Sequence, residues 1–321
     1  ALALILPMGA LRAAEPEKKA VTIAVGSAIL NYMPLALADS LGNFKKEGLD
    51  VTIQNFQAGG SKALQALVGG SVDGVVGFYD HTIQMQAKKK NISCVFLLND
   101  VPGIVFGVRA DLADKVKSGA DLKGMKIGIT TPGSSTDMIA RYYAKMSGLG
   151  PRDAEFIGVG SGAPGMKALE SKAVDALGFY DPTATILTRK NEEVSKKAFG
   201  GVYPTACLYL NQSYIDKNPE TVQRLADALL RTVRWIHSNS PEAVVDAIPA
   251  AYKLDDRALN IEIMRASTGL FSKDGRFAPE ALKTPLSVLT AYDPAIGAAG
   301  IDLSKTYTNK FADEAAKRLG Q

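Results

Sequence analysis

The sequence predicts an α/β protein of two lobes, each a mostly parallel sheet flanked by helices, with two hinge crossovers between them. Three observations carry that reading. Short apolar strands alternate with amphipathic helices from Val21 onward, the alternation starts afresh near Gly124, and the two passes match residue by residue. A chain of 321 residues is long for one compact unit and comfortable for two.

The first pass opens with a buried strand over 21–26. A helix over 34–46 follows, with Leu35, Ala38, Leu41 and Phe44 in step and Gly48 as its stop. After a strand over 51–56, Gly59-Gly60-Ser61 opens a helix that carries Leu64, Leu67 and Val68. Strands over 74–77 and 92–98 complete a βαβαβ pattern. The second pass places strands over 126–129, 155–159 and 174–178, with helices over 134–146 and 165–171. The segment 66–73 aligns without gaps on 168–175, and Gly77-Phe78-Tyr79-Asp80 recurs as Gly178-Phe179-Tyr180-Asp181. A match that runs through helix, strand and the loop beyond reads as two copies of one α/β unit.

From Asn218 the chain turns helical. Asn218-Pro219-Glu220 and Ser240-Pro241-Glu242 each put Pro at a first helical position, and further helices are expected over 256–267, 279–289 and 309–319. Extended crossovers near Val101-Pro102-Gly103 and Tyr203-Pro204 divide the chain. The first lobe is expected over 20–103 plus 205–321, the second over 104–204.

Composition excludes several functions. The net charge is +4 with Lys and Arg scattered, and Lys88-Lys89-Lys90 has no aromatic platform beside it, so that run reads as a solvated helix end and no nucleic-acid partner is expected. Cys94 and Cys207 lie in apolar, strand-like runs and read as buried thiols, with a disulfide between them left open in an exported protein. There is no Cys/His cluster for a structural metal. Residues 1–14 are apolar, end in small residues and lead into a charged stretch, which reads as the remnant of a secretory signal peptide and predicts export to the periplasm. His81 and His237 are the two histidines. No catalytic triad, nucleophile elbow, Walker loop or HExxH motif accompanies them. Gly158-Val159-Gly160-Ser161-Gly162 lacks the dinucleotide spacing and an acidic ribose partner. Neither an enzyme nor a cofactor is expected.

A ligand is expected beyond the carboxyl ends of the strands, where loops lead into helices. Thr130-Thr131-Pro132-Gly133-Ser134-Ser135-Thr136 is such a loop. First-turn N–H groups lack intrahelical partners there, and Ser134, Ser135 and Thr136 supply more hydroxyls than one N-cap needs, a pattern that favours an anion. Gly60 and Ser61 are the counterparts in the first lobe. Tyr79 with Asp80 and Tyr180 with Asp181 are paired candidates, the tyrosines as flat faces and the aspartates as ligand acceptors or plain helix caps. Asn31 and Tyr32 stand at the cleft edge.

The segments 34–51, 121–129, Pro132-Gly133-Ser134-Ser135 and Asn218-Pro219-Glu220 resemble the substrate-binding proteins of the nitrate/sulfonate/taurine class of ABC importers, the NMT1/THI5-like group that also holds thiamine-precursor binders. The resemblance spans about 21–249 and thins over the C-terminal helices. It implies a type II periplasmic binding protein, expected as a monomer, that delivers a small molecule to an inner-membrane ABC permease. It also implies that Asn31, Gly60, Ser61, Tyr79, Asp80, Ser134, Ser135, Thr136, Tyr180 and Asp181 line the cleft. With no Arg or Lys in these loops, the expected ligand is a sulfonate or carboxylate, with the tyrosines admitting an aromatic one. Asp80 and Asp181 would instead suit a pyrimidine amine if both point inward. The competing reading is an enzyme of thiamine-pyrimidine or menaquinone synthesis on the same scaffold, against which stand the missing Cys-rich motif and reactive-His context. A sensory module is a further alternative, without a visible DNA-binding or membrane element.

Overall fold

Strand alternation decides which helices each face of a sheet meets. A computed structural model describes residues 14–180 and 203–320. Its strands are β1 (Ala20–Val25), β2 (Asp50–Asn55), β3 (Gly74–Phe78), β4 (Ile92–Leu97), β5 (Ile104–Val108), β6 (Lys126–Ile129), β7 (Glu155–Gly158), β8 (Ala176–Tyr180) and β9 (Ala206–Asn211). The first sheet runs β2-β1-β3-β9-β4 and the second β5-β8-β6-β7. In the first, β9 lies antiparallel between β3 and β4. In the second, β5 lies antiparallel against β8. The other pairs are parallel. Two mostly parallel α/β sheets are thus present.

The duplication is visible in the sheets. The order β2-β1-β3 in one matches β7-β6-β8 in the other, each continued by an antiparallel strand. The aligned aspartates do the same work in both copies. Asp73 Oδ2 accepts the Thr22 N–H at 2.9 Å, while its carboxylate takes Lys18 at 2.6 Å. Asp175 Oδ2 accepts the Lys126 N–H at 2.9 Å and its Oδ1 takes Arg109 at 2.6 Å. Each carboxylate ties its strand to the neighbour through a charge-assisted bond.

The helices are α1 (Met33–Ser40), α2 (Asn43–Lys46), α3 (Gly60–Val68), α4 (Asp80–Ala87), α5 (Ser135–Met146) and α6 (Ala163–Glu170). Beyond β9 come α7 (Gln212–Lys217), α8 (Pro219–Ser238), α9 (Pro241–Ala247), α10 (Arg257–Ser267), α11 (Lys283–Tyr292), α12 (Pro294–Ala298) and α13 (Lys310–Arg318). The single helix expected over 34–46 is two, α1 and α2, with the break at 41–42. The helix expected over 279–289 begins as a 3₁₀ turn, Pro279–Leu282, before α11. Ser240 and Asp256 cap α9 and α10 by accepting the N–H groups of Ala243 and Leu259. Lys88, Lys89 and Lys90 are exposed at the end of α4, as a solvated helix end should be.

Ile23, Val25, Val76, Phe78, Leu208 and Leu210 face α1, α8 and α13 in one core. Ala24, Val75, Cys94, Cys207 and Tyr209 face α3, α4 and the C-terminal segment in another. Cys94 and Cys207 are bonded to each other, so the reading as two separate thiols gives way to a disulfide between β4 and β9. The pairing of β9 with the edge strand β4 brings the sulfur atoms together on one face, which the spacing of 113 residues in sequence could not show.

The crossovers between the sheets are themselves paired. Thr205 donates from its N–H to the Asn99 carbonyl (3.0 Å) and from its hydroxyl to the Val101 carbonyl (2.7 Å), and the Tyr203 N–H donates to the Asp100 carbonyl (3.0 Å). The result is a short two-stranded hinge. Among the described residues no helix is long and apolar enough to cross a membrane.

Candidate ligand cleft

The carboxyl ends of the two sheets face each other, so the loops after β3 and β6 meet. Thr131 Oγ1 donates to the Ala58 carbonyl across the gap. Ser135 Oγ, on the first residue of α5, donates to Asp80 Oδ1 at 3.1 Å. The Gln84 amide reaches the Met138 sulfur. Lys145 at the far end of α5 donates to the Ala291 carbonyl, so the C-terminal region also clasps the second lobe. The cleft is closed: Asp80 and His81 are 0% exposed and Ser135 2%.

The hydroxyl loop does more than cap α5. Ser134 stands at the N-cap yet makes no capping bond. Instead Thr130, Ser134 and Thr136 join in a triangle of hydroxyl contacts, each 2.8 Å. Thr136 Oγ1 also accepts the Thr130 N–H at 3.0 Å. The helix start is secured from below by Asp137, whose Oδ2 accepts the Gly133 N–H while Oδ1 pairs with Arg141. Thr131 and Ser135 are left as the hydroxyls of this loop that reach the other lobe, Thr131 to a backbone carbonyl and Ser135 to the Asp80 carboxylate.

On the facing side, Asp80 is the first residue of α4 rather than its cap. Burial pushes its carboxyl up to about 7, against the lowering pull of the Ser135 hydroxyl, the His81 N–H and the Tyr203 hydroxyl. Asp80 Oδ2 is buried without a hydrogen-bond partner. Burial also holds the His81 imidazole down at about 4, so the ring is neutral at physiological pH. His81 Nδ1 lies 3.1 Å from the Tyr209 hydroxyl, on the sheet face below.

Two glycines make this packing possible. A Cβ at Gly77 would fall 2.6 Å from the Tyr209 hydroxyl, and one at Gly60 would fall 2.7 Å from His81 Cε1. Tyr209 therefore crosses β3 where there is no side chain, reaches His81, and His81 lies against the bare backbone of Gly60. Ser61, the next residue, has a buried hydroxyl without a partner.

The expected site residues separate by where the fold puts them. Gly60, Ser61, Asp80, Ser134, Ser135 and Thr136 come together at the cleft floor. Tyr79 and Tyr32 turn into the first lobe instead: the Tyr79 hydroxyl bonds Thr306 at 2.5 Å, and Tyr32 meets Phe78 edge to face at 6.1 Å. Both rings are buried in the cores of the first sheet, so Tyr79 offers no flat ligand face and Tyr32 does not stand at the cleft edge. Asn31 Nδ2 donates to the Pro102 carbonyl at 3.1 Å, which pins the hinge. Tyr180 closes β8, and Asp181 lies outside the described residues.

Sequence reasoning passed over His81 and Asn99. The signal for His81 was its place directly after the repeated tetrad. Asn99, 1% exposed just past β4 with both amide atoms unpartnered, had no comparable signal. A pocket of 490 Å³ opens at the cleft edge between α3, α4 and the Pro132-Gly133 turn, with Ser61 in its wall. His237 contacts the Phe271 and Ser272 carbonyls away from the cleft, a structural role. Among the described residues no His, Cys, Asp and Glu group could hold a metal.

Residues 29–243 match the family model described as NMT1/THI5 like. A solved structure from Bordetella bronchiseptica RB50 is similar over 95% of this chain and 99% of its own, at 38% identity and a TM-score of 0.89. The alkanesulfonate-binding protein SsuA from Xanthomonas axonopodis pv. citri, solved bound to MOPS, shares the fold at 18% identity and a TM-score of 0.72, over 91% of this chain and 99% of its own. A 4-amino-5-hydroxymethyl-2-methylpyrimidine phosphate synthase of Aspergillus parasiticus is 24% identical over 300 residues, 87% of this chain and 83% of that protein.

Proposed function

The chain belongs to the NMT1/THI5-like family, and from that premise we propose that it is the solute-binding component of an ABC importer. One observation carries the reading. The loops of two opposed sheets enclose a set of buried polar atoms, Ser61 Oγ, Asp80 Oδ2 and His81 Nε2, that have no partner within the described protein. Unpaired buried polar groups cost about 1–3 kcal/mol each, and a ligand that reaches between the lobes would satisfy them. Because the floor is inaccessible in the closed form, binding requires the lobes to part about the 99–101 and 203–205 hinge. The ligand then shifts the open–closed equilibrium by contacting both sides at once.

The receptor is assigned to the periplasm, with an inner-membrane permease as its partner and a single chain as the working unit. The lobes are 20–103 plus 205–321 and 104–204. The cleft captures a small organic molecule and performs no chemistry on it: burial holds His81 neutral, and its Nδ1 is engaged by Tyr209. A sulfonate or carboxylate could use the Ser135 hydroxyl, but it would do so next to the Asp80 carboxylate.

A thermal-shift screen of the purified chain against sulfonates, carboxylates, nitrate, pyrimidines and cyclic amides tests this. A ligand at about 100 times its Kd stabilises the native state by ~2.7 kcal/mol, which raises Tm by several degrees. The expected result is a shift that Ser135→Ala reduces, with the compound recovered unchanged by mass spectrometry. Conversion of the compound would establish an enzyme instead.

A further inference from the structure

The unpartnered atoms of the cleft floor differ in chemical sense, and that difference can be read as a ligand preference. Tyr209 is fully buried and burial keeps its phenol protonated. Its hydrogen needs an acceptor, and His81 Nδ1 is the one within reach among the described residues. The Tyr209 hydroxyl therefore donates to Nδ1, which assigns the imidazole proton to Nε2. His81 Nε2 is then a neutral N–H donor, unspent, beside Gly60. Asp80 supplies the opposite sense. Ser135 anchors Oδ1 and leaves Oδ2 as an unspent acceptor one residue away on the first turn of α4.

We propose that the cleft reads its ligand through this donor–acceptor pair, His81 Nε2–H and Asp80 Oδ2, and so selects a small uncharged molecule that presents an N–H beside a C=O. A lactam, imide or ureide edge fits: its N–H meets Asp80 and its carbonyl meets His81, with the Ser61 hydroxyl free to serve either. The proposal rests on the reading of this cleft as the ligand site. It runs against an anion because a sulfonate or carboxylate would leave Asp80 Oδ2 facing like charge in a water-excluded site, where a buried acceptor is satisfied only by a donor. The hydroxyl triangle agrees, since Thr130, Ser134 and Thr136 are already committed to one another.

Calorimetric titration of the full chain at pH 8 tests the proposal. The probes are hydantoin, uracil and 2-pyrrolidinone in one arm, and methanesulfonate, benzoate and nitrate in the other. The expected result is binding in the first arm alone, weakened at least tenfold in both Asp80→Asn and His81→Phe. His81→Gln, which returns an N–H near the Nε2 position, should restore most of it and guards against a folding defect in the Phe variant. Anion binding that falls in Ser135→Ala would overturn the donor–acceptor assignment and leave the cleft as the ligand site. Binding indifferent to all four substitutions would overturn both. Silence in both arms would overturn the assignment of the ligand edge.

Discussion

Asp80 and His81 are neighbours whose burial acts on stability with opposite signs, and single substitutions should separate them. Asp80 holds its proton more tightly folded, at about 7, than at its ordinary value of 3.8. Its contribution is thus complete below 3.8 and is withdrawn as pH rises toward 7. His81 titrates at about 4 folded against 6.5 ordinarily, so its contribution is complete above 6.5 and is lost as pH falls toward 4. Between about pH 4.5 and 6.5 each changes the unfolding free energy by roughly 2 kcal/mol, Asp80 downward and His81 upward as pH rises. The two nearly cancel in the parent protein. Other ionisable groups drop out when each variant is compared with the parent. In Asp80→Asn, stability should therefore climb with pH relative to the parent by about 2 kcal/mol over that window, and in His81→Gln it should fall by about as much. Tyr209 and the Ser135 hydroxyl, which face the pair, stay protonated throughout and add no slope. Equilibrium urea unfolding at four or five pH values measures this. Profiles parallel to the parent in both variants would refute the burial of the pair, and slopes of the same sign would refute the assignment of charge states.

Three further outcomes are expected. Gly60→Ala places a methyl 2.7 Å from His81 Cε1 and should cost about 1–3 kcal/mol in urea unfolding as the ring is displaced, whereas a neutral effect would mean the ring does not lie there. Ser135→Ala removes the donor to Asp80 Oδ1 and should lower stability by about 1–3 kcal/mol at pH 8, an effect that should vanish in the Asp80→Ala background if the contact is the cause. The Cys94→Ala, Cys207→Ala double variant opens a loop of 113 residues and should lose about 3–5 kcal/mol; a parent-like unfolding midpoint would show that the bond does not constrain the chain.

The sequence made the sheets legible and the cleft only half so. The near-continuous apolar runs 21–25 and 74–78 reported burial on both faces of central strands, and the 66–73 and 168–175 match exposed the duplication because each copy must close the same strand pair with Asp73 or Asp175. The antiparallel placement of β9 between β3 and β4 was not legible, since an apolar run carries no direction. At the cleft, Ser135 and Asp80 were legible as polar residues of neighbouring strand-end loops, and the fold brings them into contact. Tyr79 was misjudged because the tetrad marks the position of a loop and not the side from which each side chain leaves it. His81 was weighed only as a catalyst. Its placement depends on Gly60 and Gly77 having no side chains, and Gly60 and Tyr209 are brought to it only by tertiary packing.

The central position of β9 also fixes an order of assembly. The second sheet is drawn from one stretch, 104–180, and can close from its own neighbours as soon as that stretch exists. The first sheet cannot: until 206–211 arrives, β3 and β4 face an empty slot with two unsatisfied edges, the kind that recruits strands from other chains. A nascent or truncated chain ending before residue 206 should thus hold a finished second lobe and an adhesive first one. In the full chain the Cys94–Cys207 bond ties the strand that fills the slot to its neighbour β4.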